Sequence, residues 1–199
     1  MIDSKLARIY AATVQVISEK GYDRASMDEI ANVSGVAKGT LYYHFKNKED
    51  LFVNMVQKGV NSLTELIRRQ IKKAGDPVGK LTLLIREQVG YLRNNDDFCK
   101  ILLTEVWGTE ERQQRFRQGL QKYIRLIEEI LEEGKETGDF TFADTETTAA
   151  GIFGGISIAA LHWILKREAF PAARVNDAMI GIILNGIKAR PPIFESEDN

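Results

Sequence analysis

The chain has 199 residues, 44% of them apolar, and a formal net charge of −1. That length can bury a real core and suits one large domain or a small domain fused to a larger one. The near-neutral charge excludes a generally basic protein that coats nucleic acid or anionic lipid, so any contact with DNA has to come from a local patch. Cys99 is the one cysteine and His44 and His162 are the two histidines, which excludes disulfide frameworks and multi-Cys or Cys/His zinc sites. Neither a metal nor a cofactor is expected, and a lone thiol fits a reducing cytoplasm. Met1-Ile2-Asp3-Ser4-Lys5 lacks the form of a secretory signal. The apolar, uncharged stretch Ala149 to Leu165 is short for a membrane span and is diluted by Gly151, Gly154, Gly155, Ser157 and His162. No membrane partner is expected.

Apolar residues recur at spacings of three and four almost throughout, which predicts an all-α fold of about nine helices. Ser4 can cap a first helix with Leu6, Ile9, Tyr10, Thr13, Val16 and Ile17 on one face, closed by Gly21. Ser26 and Glu29 have capping-box spacing and open a short second helix that stops at Ser34-Gly35. A third helix runs from about Ala37 to His44, with Ala37, Leu41 and Phe45 turned inward. Asn47 and Asp50 can cap a long fourth helix, buried along Leu51, Phe52, Met55, Val56, Val60, Leu63, Leu66 and Ile67, that bridges two domains. Asp76-Pro77 starts the next helix, to about Asn94, and a shorter piece carries Phe98, Ile101, Leu102, Val106 and Trp107. A long amphipathic helix follows from Thr109, then a loop over Asp139 to Asp144. Two last helices, about Thr145 to Lys166 and Val175 to Ala189, flank a turn at Phe170-Pro171.

Three short helices with a Gly35 turn between the second and third match a helix-turn-helix, whose third helix enters the major groove. Its exposed face, Lys38, Thr40, Tyr42, Tyr43 and His44, followed by Lys46 and Lys48, supplies hydroxyls, rings and cations for bases and phosphates. Lys48 lies in the first turn of a helix, where a phosphate would also meet free amides. A purely structural reading stands beside each: Tyr42 packed under the fourth helix, Lys46 and Lys48 solvated, His44 satisfying a local hydrogen bond. The first fifty residues carry seven basic and seven acidic side chains, so recognition should depend on placed contacts made by a dimer on a palindromic site.

The stretches Gly21-Tyr22, Ser26-Met27-Asp28-Glu29-Ile30-Ala31 and Gly35-Val36-Ala37-Lys38-Gly39-Thr40-Leu41-Tyr42-Tyr43-His44-Phe45-Lys46-Asn47-Lys48-Glu49-Asp50-Leu51 resemble the TetR family of repressors. The resemblance is close over the first quarter of the chain; beyond it, helix number, lengths and order agree. It implies a DNA-binding domain over 1–48 and a ligand-binding and dimerisation domain over 49–199. It also implies that Lys38, Gly39 and Tyr42 lie nearest the bases, with Ser26, Met27, Thr40, Tyr43, His44 and Lys48 nearer the phosphates. Asp28 stands where some members of the family carry a base-contacting basic residue; beside Glu29 it more simply favours the helix start.

In the larger domain, Tyr91, Phe98, Trp107, Phe116, Tyr123, Phe153 and Trp163 can line an apolar cavity or serve as core, with His162 and Tyr123 as polar anchors. A small hydrophobic effector is expected, a fatty acyl compound by analogy with the family. Gly151, Gly155 and Ala159 leave one helix face nearly bare; close packing within a subunit and packing across a homodimer, with Met179 and Ile183, both account for it. Gly155-Ile156-Ser157-Ile158-Ala159 approximates an esterase nucleophile elbow, but that motif needs a strand-to-helix turn and here lies mid-helix. No enzymatic activity is expected. The function expected is a cytoplasmic, ligand-responsive DNA-binding repressor of double-stranded operator DNA; the rival from another class is a helical carrier or scaffold without operator binding.

Overall fold

The computed structural model describes residues 4–104, 110–166 and 168–188, with side chains 4, 103, 104, 111, 112, 115 and 116 outside the description. The expectations placed on Trp107 and Phe116, and the Ser4 cap, therefore fall outside the described residues. Nine helices make up the described chain: α1 (Ser4–Lys20), α2 (Met27–Ser34), α3 (Lys38–His44), α4 (Lys48–Ile71), α5 (Pro77–Asn94), α6 (Asp96–Thr104), α7 (Glu110–Glu136), α8 (Thr145–Leu165) and α9 (Ala172–Ile187). Among the described residues the only β-type pairing is an isolated bridge, Phe140 with Lys188. The fold is all-α, as periodicity predicts.

Helix starts follow the side-chain oxygens. Ser26 accepts from the Glu29 amide, Asn47 from Asp50, Asp76 from Gly79 and Asp144 from Thr147, each satisfying a first-turn N–H that has no partner within its helix. The capping box at α2 is half made: the Glu29 carboxylate pairs with Lys20 instead of turning back on Ser26. Gly35 ends α2 at φ 64°, its amide reaching the Ala31 and Asn32 carbonyls, a left-handed backbone that a Cβ would strain.

One core cluster runs from Ile9 on α1 to Ile187 on α9. α2 packs on both α1 and α3, α4 lies on α5 and α7, and α8 and α9 close the far side against α5. Two inward residues depart from expectation. Ala37 is exposed as the residue before α3 and Leu66 is half-buried, whereas Leu41 and Phe45 do reach the core. Helix α8 is long and apolar enough to cross a membrane by length and composition. Here it packs on α5, α6, α7 and α9.

The segment expected as a loop after α7 is an anchored one. Gly138 adopts φ 79°, Phe140 folds back to donate its amide to the Gly134 carbonyl at 2.9 Å, and Thr141 donates to Ile187 at 2.6 Å. A Cβ at Gly134 would lie 2.0 Å from the Phe140 ring. On the other side of the bundle, Cys99 is buried with Leu92 and Ala160, and burial, with the Asp96 charge adding to it, pushes its thiol up to about 12.

Two outcomes follow from this packing. Gly134→Ala should lower stability by about 1–3 kcal/mol, because the added methyl displaces a buried ring, measurable as a lower denaturation midpoint. Native Cys99 should stay unmodified by iodoacetamide at pH 8 and react once the chain is unfolded in guanidinium, since the thiolate is the nucleophile and burial withholds it; mass spectrometry reads both states.

Candidate nucleic-acid interface

The α2–turn–α3 unit is fixed from beneath by Ile30, Ala31, Leu41 and Phe45, all buried, so α3 presents its other side outward. On that side Tyr42 is 53% and Tyr43 85% exposed, which answers the question whether Tyr42 packs under the fourth helix: it does not. Lys38, Gly39 and His44 are exposed and Thr40 is half-buried. Tyr43 and His44 meet edge to face at 5.2 Å. A Cβ built on Gly39 would meet no heavy atom within 4 Å, and Gly39 does not have positive φ. Nothing inside the subunit requires glycine there.

Charge on this face is partly self-compensated. Lys38 Nζ lies 2.7 Å from the Asp28 carboxylate, with both side chains more than half exposed, so the pair is worth little to stability and is available to be exchanged for another anion. Ser26 Oγ accepts the Glu29 amide at 3.2 Å, leaving its own hydroxyl proton to donate. Met27 turns its side chain into the core at 8% exposure; it can offer a phosphate its backbone amide at the head of α2, but not its side chain.

Lys48 departs most from the sequence expectation. Its ammonium donates to the carbonyls of Tyr22, Asp23 and Ala25 at 2.7, 3.2 and 3.0 Å and lies 4.3 Å from the Tyr22 ring centroid. An ammonium has three N–H donors, and all three are taken by the α1–α2 turn. Tyr22 in turn donates its hydroxyl to Glu49 at 2.9 Å and stacks edge-on against Phe52 at 5.1 Å. Lys48 therefore fastens the head of α4 to the helix-turn-helix instead of reaching outward for a phosphate. Its place in the first turn of a helix suggested the phosphate role; only the folded turn brings three carbonyls to it.

The larger domain sorts the aromatic candidates into three groups. Tyr123 is fully buried, 5.7 Å from the ring of Phe153, and donates to Gln88 Oε1 at 2.8 Å. Gln88 Nε2 donates to Ser157 Oγ at 3.1 Å and to the Phe153 carbonyl at 3.3 Å. Burial drives the Tyr123 hydroxyl well above its ordinary value, so it remains a donor. Gln88 was missed at the sequence level, although a glutamine on the buried line Leu84, Ile85, Val89 and Leu92 was there to be noticed. Ser157, in the elbow-like pentapeptide, is a buried member of this network within α8. Tyr91 and Phe98 belong to a second place, a cleft of about 430 Å³ between α1, α4, α5 and α6.

His162 and Trp163 form the third group and lie at the C-terminal end of α8. His162 is exposed, away from the buried Tyr123–Gln88 cluster, and Trp163 is half-buried with Lys166 and Arg174 over its ring at 4.3 and 5.4 Å. His162 shares an outward strip with Gly151, Gly155, Ile158 and Leu165, the last two 58% and 59% exposed. A Cβ at Gly151 would meet nothing within 4 Å, and one at Gly155 would only touch Met179. The bare face is thus not closely packed within the subunit. Ala159 is half-buried beside it, while Met179 and Ile183 turn into the subunit's own core and Ile182, at 68% exposure, faces out in their place. Met179 and Ile183, expected at a subunit interface, are thus buried within the subunit.

Comparison with known proteins accounts for both halves. Residues 9–55 match the model of bacterial regulatory proteins of the tetR family, and residues 56–186 match the YsiA-like protein C-terminal region. The fatty acid metabolism regulator protein of Bacillus subtilis is 26% identical over 185 residues, spanning 92% of this chain and 95% of that one. Among solved structures, the fatty acid degradation regulator FadR from Bacillus halodurans superposes with a TM-score of 0.86 at 30% identity, covering 96% of this chain and all of that one. FadR from B. subtilis in complex with stearoyl-CoA superposes at 0.84 with 26% identity, over 90% and 98% of the two chains. With both regions matched and the fold shared along its length, this chain belongs to the TetR family of DNA-binding transcriptional regulators.

Proposed function

We propose that the chain acts in the cytoplasm as a homodimeric repressor, holding a palindromic operator through residues 1–48 and released by a long-chain acyl-CoA bound within residues 49–199. The observation that carries the DNA half is the face of α3, where Lys38, Gly39, Thr40, Tyr42, Tyr43 and His44 are presented outward by a helix whose other side is locked in the core. Ser26 and the backbone of Met27 at the head of α2 add donors for the phosphate backbone. Lys48 acts one step back, setting the position of the reader.

The effector half is supported by the similarity to a regulator solved with stearoyl-CoA and by the interior of the bundle. Tyr123 and Phe153 set two rings beside the buried Gln88–Ser157 hydrogen-bonded pair there. A ligand that binds the DNA-incompetent arrangement better by ~1–3 kcal/mol changes operator affinity by about 5- to 150-fold. The exposed strip of Gly151, Gly155, Ile158 and Leu165 with Ile182 supplies the apolar face through which two copies pair. Two-fold pairing matches the symmetry of a palindrome. This reading assigns the chain no catalysis.

Two substitutions separate contact from support. Gly39→Ala should leave the melting temperature unchanged or slightly raised, since alanine is the better helix former by up to about 1 kcal/mol, yet weaken operator binding by obstructing the approach of DNA. Lys48→Ala should cost about 1–3 kcal/mol in stability by leaving the turn carbonyls without their donor. It should also leave the salt dependence of binding unchanged, whereas loss of a phosphate ligand lowers that slope by about one.

The reading as a whole is tested by selecting bound DNA from a random duplex pool with the purified protein at stated salt, then adding stearoyl-CoA to the selected complex. A palindromic site released by the acyl-CoA is expected. Absence of enrichment at low salt would leave a helical carrier without operator binding, and enrichment without release would remove the acyl-CoA from the account.

A further inference from the structure

Helix α3 opens on Lys38, and its ammonium donates to the Asp28 carboxylate of α2, ten residues earlier, at 2.7 Å. The pair bridges the turn on the outward side of the unit, with the lysine side chain 58% and the aspartate 55% exposed. It is not what holds α2 to α3. Buried Ile30, Ala31, Leu41 and Phe45 do that, and an exposed ion pair adds little to stability. Nor does α2 need Asp28 for its start, since Ser26 caps it and Glu29 supplies a second first-turn acid. A carboxylate on the face that meets DNA is repelled by the phosphates, so its presence there calls for another reason.

That reason lies in how it holds the lysine. A lysine free on its four-carbon stem is a mobile point charge, which any phosphate satisfies without regard to sequence. An ammonium has three N–H donors, and at Lys38 one of them is given to Asp28. Exchanging Asp28 for a phosphate would strand the carboxylate beside the charge of the duplex. Donating the other two N–H groups leaves the pair intact. In the major groove guanine alone offers two adjacent acceptors, N7 and O6; adenine sets a donor beside its N7, thymine a methyl beside a single O4, and cytosine presents a donor. Gly39, next in the chain, carries no side chain, and a Cβ there would meet no heavy atom within 4 Å, so the flank of the pair is clear for a base to approach.

We propose that Asp28 is a specificity-determining positioning residue that fixes Lys38 on a guanine, so that each operator half-site carries one G·C pair read by Lys38 and Asp28 together. This rests on the operator-binding reading above and adds a base to it.

The test uses the full chain and duplex DNA, without effector. Wild type, Asp28→Asn, Lys38→Ala and the double variant each select from a random duplex pool at one stated salt. Fluorescence anisotropy then gives affinities for the selected site, for that site with the G·C pair replaced, and for an unrelated duplex, each over a range of salt. Both side chains are exposed and asparagine keeps the shape of aspartate, so all four chains fold; equal melting temperatures check this. The wild type should enrich a G·C pair at one fixed place in each half-site and lose about 5- to 150-fold on its replacement. Asp28→Asn should erode that discrimination by about fivefold or more, while binding the unrelated duplex more tightly with a salt slope steeper by about one per subunit, because the freed ammonium takes a phosphate. In the Lys38→Ala background, where the preference is already gone, Asp28→Asn should not change the base selected. Plain charge repulsion by Asp28 gives a different pattern: Asp28→Asn tightens every sequence alike, with or without Lys38, and keeps the G·C preference. That pattern overturns the proposal, as does a G·C preference that survives Lys38→Ala. A wild type that enriches no site at low salt defeats the operator reading and the proposal with it, so wild-type selection tells the two failures apart.

Discussion

One face of helix α4 is buried from Leu51 to Ile67 by two different neighbourhoods, and this is the constraint on which the molecule turns. Its first turn is held by the α1–α2 hairpin through Lys48, Glu49 and Phe52 around Tyr22. Further along, Val60, Leu63 and Ile67 are buried where α4 packs on α5 and α7, and Arg68 pairs with Glu129 of α7 at 3.0 Å. Both attachments lie on one continuous 24-residue helix, which joins the reader to the bundle. The family models meet between residues 55 and 56, inside this helix, in keeping with its membership of both parts.

The attachments differ in kind. At the reader end they are polar and saturated, three carbonyls for one ammonium, and so fix geometry. At Gly59 they are steric, the Phe98 ring against a bare Cα. The Gln88–Tyr123–Ser157 network ties α5, α7 and α8 together inside the bundle.

Much of this was legible before folding. The nine-helix order, the caps at Ser26, Asn47 and Asp76, and the Gly35 turn follow from local chemistry, which acts over a few residues. The outward face of α3 followed from three- and four-residue spacing of Leu41 and Phe45. What failed depended on distance in sequence. Lys48 has partners 23 to 26 residues away, and His162 was assigned inward because nothing local says which side of a uniformly apolar α8 meets its neighbours. Met179 and Ile183 were expected at a subunit interface and are buried in the subunit's own core. Gly134 reads as a helix-loosening residue until the ring of Phe140 is seen against it.

The central claim is that occupancy of the bundle changes the separation of two recognition helices that an operator requires ~34–36 Å apart. It is tested most directly by spin labels at Asn32→Cys, an exposed site on α2, in a dimer whose Cys99 is too buried to be labelled. Pulsed dipolar spectroscopy then measures the inter-subunit distance with and without stearoyl-CoA. A narrow distribution in the operator complex that shifts when the acyl-CoA saturates the free protein is the predicted result. An identical distribution in both states, with binding of the acyl-CoA verified in the same sample, would contradict it.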